Sequence, residues 1–284
     1  MDQIVTADGV RLQARVWPAS ANAERVRGQV LLVHGLGEHA GRYEHVAQAL
    51  CAQGWQVVAY DQRGHGQSGG GRGVIPDRNS LLQDLGRVVD AVRPLQPGPL
   101  VMLGHSLGGL VAARYVAEGL HVKPAAWWRP VDALVLSSPA LDAGMNLFQK
   151  LLVAVGSSLV PGLALGNGLK PSWICRDPAV VAAYVADPLV HDRICGRLAK
   201  FIADAGPEVQ GMAASWRVPT LLMWGGADRC VAPAGSARFA AAAPASVQAQ
   251  PWHALAHEIF NEPEQAEVLA ALNGWLNARY PAAR

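Results

Sequence analysis

Short apolar runs recur along the chain, separated by stretches with helical spacing. The runs are "QVLLVHG" (29–35), "WQVVAYD" (55–61), "PLVMLGHS" (99–106), "DALVLSSPA" (132–140), "PTLLMWGGAD" (219–228) and "SVQAQPW" (246–252). A strand that is apolar at nearly every position needs cover on both faces, whereas a strand with one wet face alternates. Between the runs, "RYEHVAQALCAQG" (42–54) has apolar residues at 43, 46, 47 and 50, the spacing of one helix face, and Gly54 is a natural stop. "NSLLQDLGRVVDAVRP" (79–94) is helical, with Asn79 or Ser80 as cap. In the C-terminal helix, Asn261 and Glu264 fit an N-cap and N3 pair, with Pro263 in the first turn. The alternation predicts an α/β fold, a mostly parallel sheet with helices on both faces. The early "IVTADGVRLQARVW" alternates around "ADG", which predicts an antiparallel hairpin at the sheet edge.

The alternation lapses between about 142 and 216, and this stretch reads as all-helical. With a strand on either side of it, the reading is an inserted helical cap (142–216) on a core formed by 1–141 and 217–284. Within the cap, "LLVAVGSSLVPGLALGNGL" (151–169) carries no charge and approaches the length of a membrane span. Pro161, four glycines and Asn167 interrupt it, so a buried or interfacial helix pair is expected instead.

Composition narrows the function. The chain of 284 residues is 51% hydrophobic and 16% charged, which supports a large core and argues against disorder. Net charge is +2 and no Lys/Arg run occurs, so a nucleic-acid partner is not expected. "MDQIVTADGV" has early acids and no apolar signal segment, which predicts a cytoplasmic protein. Cys51, Cys175, Cys195 and Cys230 are then reduced thiols. None forms C-x-x-C or a zinc-type spacing, and neither a metal nor another cofactor is expected.

The chemistry centres on "LGHSLGG". Gly104-His105-Ser106-Leu107-Gly108 is a G-x-S-x-G between a predicted strand and a predicted helix. A nucleophilic serine must protrude from such a turn, and glycines two residues on either side remove Cβ atoms that would clash. The helix N-terminus aims free N–H groups at the place where an oxyanion would form. Serine needs a base, and the base needs a carboxylate to orient it. Asp228 ends the fifth run, and "WHALAHEIFNE" (252–262) supplies His253 and His257 after the sixth. Asp132 and Asp142 lie on the wrong side of the cap. A loop setting for 253–257 argues against a metal pair, and either histidine could be the base. "LLVHGLGEH" (31–39) ends another strand in a glycine-bracketed turn suited to a second oxyanion N–H, from Leu36, beside that of Leu107. His34 braces that loop by a hydrogen bond. "YDQRGHGQSGG" (60–70) fits no phosphate motif and reads as a structural loop in which Asp61 and Arg63 pair locally.

"HGLGEHAGRYEHVAQAL", "AYDQRGHGQSGG", "GHSLGG", "LSSPAL", "YVADPLV", "PTLLMWGGAD" and "HEIFNEPE" occur in this order. Together they resemble the α/β-hydrolase family of monoacylglycerol lipases and lysophospholipases, the serine aminopeptidase S33-type hydrolases. The resemblance covers nearly the whole chain and is weakest over 142–180. It implies an eight-stranded core under a helical cap, Ser106 as nucleophile, Asp228 as acid and His257 as base. Leu36 and Leu107 match the oxyanion donors. The implied partner is a lipid ester with a single acyl chain, met at lipid surfaces that the cap contacts transiently. Acyl transfer, or hydrolysis of short polyester or hydroxyacyl oligomers, would use the same triad. A binding module that keeps the fold without catalysis is the remaining reading. The oligomeric state is not legible.

Overall fold

A computed structural model describes residues 1–21 and 26–281 of the chain. β1 (Gln3–Val5) and β2 (Arg11–Trp17) form the expected antiparallel hairpin, with Ile4 opposite Leu12. There follow β3 (Gly28–Val33), α1 (Glu44–Ala52), β4 (Trp55–Tyr60), α2 (Ser80–Val92), β5 (Leu100–His105), α3 (Ser106–Glu118) and β6 (Ala133–Ser137). The middle of the chain supplies α4 (Leu147–Leu159), β7 (Ala164–Gly166), α5 (Pro178–Ala186), β8 (Arg193–Cys195) and α6 (Gly196–Gly211). β9 (Thr220–Gly225), α7 (Pro233–Ala242), β10 (Val247–Trp252) and α8 (Gln265–Arg279) complete it.

Eight strands form one sheet in the order β1-β2-β4-β3-β5-β6-β9-β10. β2 joins β4 antiparallel, and every pairing from β4 to β10 is parallel. The apolar runs are explained by two covered faces. Val30, Leu32, Val57, Val101 and Leu103 meet α1 and α8, while Leu31, Val33, Val58, Met102 and Leu134 meet α2 and α3. Successive side chains on a strand point to opposite faces, so both must be apolar. β10 is the edge strand, and its exposed Gln248 and Ala249 are where the sixth run meets solvent. Because β3, β5, β9 and β10 run parallel, the loops after them emerge along one edge, the place where α/β sheets carry their sites.

The segment 142–216 differs from an all-helical reading. β7 pairs antiparallel with β8, Leu165 opposite Ile194. The uncharged stretch is therefore one helix, a turn at Pro161 and a short strand, rather than a helix pair. α6 packs on α3 and places Leu198, Phe201 and Val209 in the core. α4 lies across α6 and leaves Leu147, Phe148, Leu151 and Leu159 exposed. Among the described residues no helix is long and apolar enough to cross a membrane. At the C-terminal helix, α8 starts at Gln265 with Glu264 as its N-cap, so Asn261 lies a turn earlier. Asn79 precedes α2 without a side-chain capping bond, and Ser80 Oγ instead accepts from the Asp77 N–H at 3.0 Å.

Candidate active site

Ser106 sits between β5 and α3 with φ at +53°, one of two non-glycine residues with positive φ among those described. Such strain persists only where the surroundings enforce it. The enforcement is visible at the flanking glycines. A Cβ on Gly104 would lie 2.5 Å from the Gly108 carbonyl oxygen, and one on Gly108 would lie 2.1 Å from that of Val33. The turn therefore presses against β3, and the Ser106 side chain is pushed outward. The Leu107 N–H lies in the first turn of α3, where N–H groups have no intrahelical acceptor. Across from it, among the described residues no backbone acceptor engages the N–H of Leu36. Its neighbour is held, since the Gly35 N–H donates to Glu38 Oε1 at 2.6 Å.

Asp228 follows β9 and His257 follows β10. Their side chains meet, with His257 Nδ1 2.7 Å from Asp228 Oδ2. Asp228 Oδ1 accepts from the N–H groups of Cys230 and Val231 at 2.8 and 3.1 Å. With its proton on Nδ1, the ring presents Nε2 as a base. Burial works against a charged imidazole here, but the Asp228 carboxylate outweighs it and raises the His257 pKa above its ordinary value. His257 and Ser106 line the same cavity. His253 is exposed, and its backbone packs against Gly226. The geometry thus brings Ser106, Asp228 and His257 together and leaves His253 outside. Asp142 pairs with Arg238 at 2.5 Å, and Asp132 accepts from the Leu100 N–H, both away from the site.

Asp228, Cys230 and His257 place potential metal-ligand atoms within 4.8 Å of one another. Both oxygens of Asp228 are already committed to hydrogen bonds, however. Among the described residues, His253 joins no such cluster. His34 braces its loop as expected: Nε2 accepts from the Gln62 N–H at 2.8 Å. The expected Asp61–Arg63 pair does not form. Arg63 reaches Asp8 and Asp84, while Asp61 accepts from the N–H groups of Ala40 and Gln67. A charged side chain pairs with whatever the fold brings near it, here Asp8 from the loop between β1 and β2 and Asp84 on α2.

Several site residues are absent from the sequence reading. Glu38, Arg42 and Glu258 form a buried network, with Glu38 and Glu258 in the wall of the cavity. Arg42 donates to Glu38 Oε2 at 2.7 Å and to both oxygens of Glu258 at 2.6 and 2.7 Å. Tyr43 donates to Glu38 Oε1 at 2.6 Å. Burial opposes the charge on Glu38, yet Arg42, with lesser help from His105 and His34, brings its pKa down to about 2. The signal is present in "GEHAGRY" and "HEIFNE", but pairing residues 216 positions apart needs the fold. His105 also escapes notice as the variable position of G-x-S-x-G. Its ring lies 4.7 Å from that of His257, and burial, then the His257 charge, lowers its pKa to about 3.

Two cavities meet at Ser106 and Leu36. One, about 320 Å³, is lined by Glu38, Tyr184, Asp187, His191 and Glu258. The other, about 640 Å³, runs under α4 past Met145, Val153, Val160, Leu163 and Ile202. A smaller pocket that gathers charged and polar side chains and a longer pocket lined mainly by aliphatic ones therefore share one hydroxyl.

The family profile described as serine aminopeptidase, S33 matches residues 24–264. A monoacylglycerol lipase from Mycolicibacterium smegmatis is 38% identical over 94% of this chain and 93% of its own. A human monoglyceride lipase is 32% identical over 81% of this chain and 73% of its own. The crystal structure of a Paleococcus ferrophilus monoacylglycerol lipase superimposes with a TM-score of 0.82 at 34% identity, covering 94% of this chain and 98% of that one. The chain belongs to the serine aminopeptidase S33 family of α/β-hydrolases.

Proposed function

We propose that the chain is a serine carboxylester hydrolase of monoacylglycerols, with Ser106, His257 and Asp228 as its triad. The observation that carries this reading is the meeting of the two cavities at Ser106. The acyl chain lies in the apolar cavity under α4, and the alcohol lies in the polar one. That polar cavity is lined by Glu38, Asp187, Asp192 and Glu258, with Lys170 as its lysine. A neutral glycerol can hydrogen-bond to these groups, and Arg42, already held between Glu38 and Glu258, is not free to receive the phosphate of a larger head group. This favours monoacylglycerols over lysophospholipids.

In the reaction, Ser106 Oγ attacks the ester carbonyl while His257 Nε2 takes its proton. Asp228 holds the ring and stabilises the imidazolium. The oxyanion is received by the N–H groups of Leu36 and Leu107. His257 then returns the proton to the departing glycerol oxygen. A water, activated by the same ring, hydrolyses the acyl-enzyme and regenerates Ser106. No step calls for a metal.

The segment 142–216 serves as the cap. Leu147, Phe148, Leu151, Leu152 and Leu159 stand exposed on α4, beside the mouth of the acyl cavity. Exposed apolar patches mark interaction sites, and this one suits transient contact with a lipid surface by a cytoplasmic enzyme. The test is Ser106→Ala, assayed on monoacylglycerols and lysophospholipids across chain lengths, with fluorophosphonate labelling. Loss of both turnover and labelling is expected, together with a preference for monoacylglycerol in the parent enzyme. Normal esterase turnover by Ser106→Ala would refute the reading.

A further inference from the structure

We propose that the cap segment around Asp187 and His191 positions the Leu36 N–H, so that the oxyanion hole is complete only while this part of the cap is seated. The inference rests on the reading of Leu36 as an oxyanion donor. It also accounts for "YVADPLV", a motif that the triad leaves unused, and for the His191 that follows it.

The loop His34–His39 is held from two sides. From the core, the Gln62 N–H donates to His34 Nε2, and His34 Nδ1 donates to the Gly35 carbonyl at 2.8 Å. From the cap come two contacts that bracket Leu36 on its other flank. The His191 N–H donates to the Gly37 carbonyl at 2.8 Å. The approach is close enough that a Cβ on Gly37, which has φ at +77°, would lie 2.2 Å from the His191 carbonyl oxygen.

The second contact is between His39 and Asp187. His39 Nδ1 accepts from the Gly41 N–H at 3.1 Å, so the ring proton sits on Nε2. Nε2 then donates to Asp187 Oδ2 at 2.7 Å. Asp187 is itself anchored, because its Oδ1 accepts from the Leu189 N–H at 2.8 Å. Behind the loop, the His191 ring lies 4.8 Å from His65, which lies 5.3 Å from His34. The three rings thus link the cap to the core beside the short backbone segment that carries the Leu36 N–H.

An oxyanion donor must be placed within a fraction of an ångström, and a 1 Å displacement costs on the order of 10²-fold in rate. Asp187 and His39 are therefore positioning residues, acting through the Leu36 backbone rather than on the substrate. A lipid surface that moves the cap would change turnover, and not substrate capture alone.

The experiment is a double-mutant cycle of His39→Ala and Asp187→Ala. The substrates are a fatty acyl methyl ester, which has no glycerol to touch the polar cavity, and its thionoester counterpart. Thiocarbonyl sulfur accepts hydrogen bonds poorly, so the ratio of oxoester to thionoester kcat reports on the oxyanion donors. Each single variant is expected to lower the oxoester kcat by about tenfold or more, with KM little changed and the ratio falling in step. The double variant is expected to be no worse than the more severe single. Asp187→Asn keeps an acceptor oxygen for His39 and is expected to recover part of the loss. An oxoester kcat within about twofold of the parent, additive losses, or an unchanged ratio would overturn the proposal. General misfolding would lower both substrates equally and so leaves the ratio unchanged. A parent enzyme with no preference for the oxoester would instead overturn the underlying oxyanion reading.

Discussion

Arg42 joins two carboxylates that water scarcely reaches, and its removal has a calculable cost. The guanidinium side chain is 11% exposed, those of Glu38 and Glu258 only 4% and 6%. Arg42→Met keeps the apolar stem but leaves two carboxylates facing each other without a cation. Removing one member of a buried ion pair costs about 3–5 kcal/mol. The Glu38 carboxyl agrees in direction, since against burial Arg42 is the largest influence that holds its pKa down, so a loss of that order is expected. For a domain of this size that lowers Tm by roughly 10 °C. Equilibrium urea unfolding and thermal melts would measure it. The sign of the pH dependence is also set. In the parent, Glu38 contributes stability above 4.5 and loses it as pH falls toward about 2. In Arg42→Met the charge that holds the Glu38 pKa down is gone, and burial raises it. The deficit relative to the parent should then shrink as pH falls from about 7 toward about 5. Neutralising the cluster in Arg42→Met/Glu38→Gln/Glu258→Gln should recover at least half of the loss. The amide oxygen introduced at position 38 can still accept from the Gly35 N–H and the Tyr43 hydroxyl, and no charge of the cluster remains buried. A single variant that loses under about 1 kcal/mol, or a triple variant as unstable as the single, would refute the electrostatic account.

Asp228→Asn should lower kcat by about 10⁴-fold, because the ring loses both its tautomer and its counter-charge. The same variant should move the acid limb of kcat/KM to lower pH. His257 must be neutral to act as base, and Asp228 raises its pKa above 6.5, so the parent loses activity as pH falls through that raised value. An unmoved midpoint in the variant would contradict this cause. Gly156 lines the apolar cavity, and a Cβ there meets nothing within 4 Å. Gly156→Phe should shift the preferred acyl chain to shorter lengths while leaving Tm unchanged or raised, since glycine in mid-helix costs about 1 kcal/mol. A chain-length profile matching the parent would place the acyl group elsewhere.

What can be read without a structure is what is decided locally. The fully apolar runs of β3, β5 and β9 announce a sheet covered on both faces, and the glycines around Ser106 announce a strand-to-helix turn too tight for a Cβ. Both are properties of a few consecutive residues. His253 and His257 mark the limit of that method. They share a segment and a residue type, and only the path of the chain after β10 buries one beside Asp228 and leaves the other in solvent. The uncharged 151–169 stretch fails in the same way, because β7 exists only through β8, which comes after α5 in the chain. Arg63 shows the general reason. Its partners are Asp8 and Asp84 and not the nearby Asp61, since a buried charge must be matched by whichever opposite charge the fold delivers. The same requirement links the motifs themselves. "GEHAGRY" carries a glutamate, a histidine and an arginine that its own residues only partly satisfy. "HEIFNE" provides the second glutamate for Arg42, and "YVADPLV" provides the aspartate for His39. Each motif is chemically incomplete alone, so a change in one should be tolerated only with a matching change in another, and the pairs Arg42–Glu258 and His39–Asp187 are where such compensation is expected.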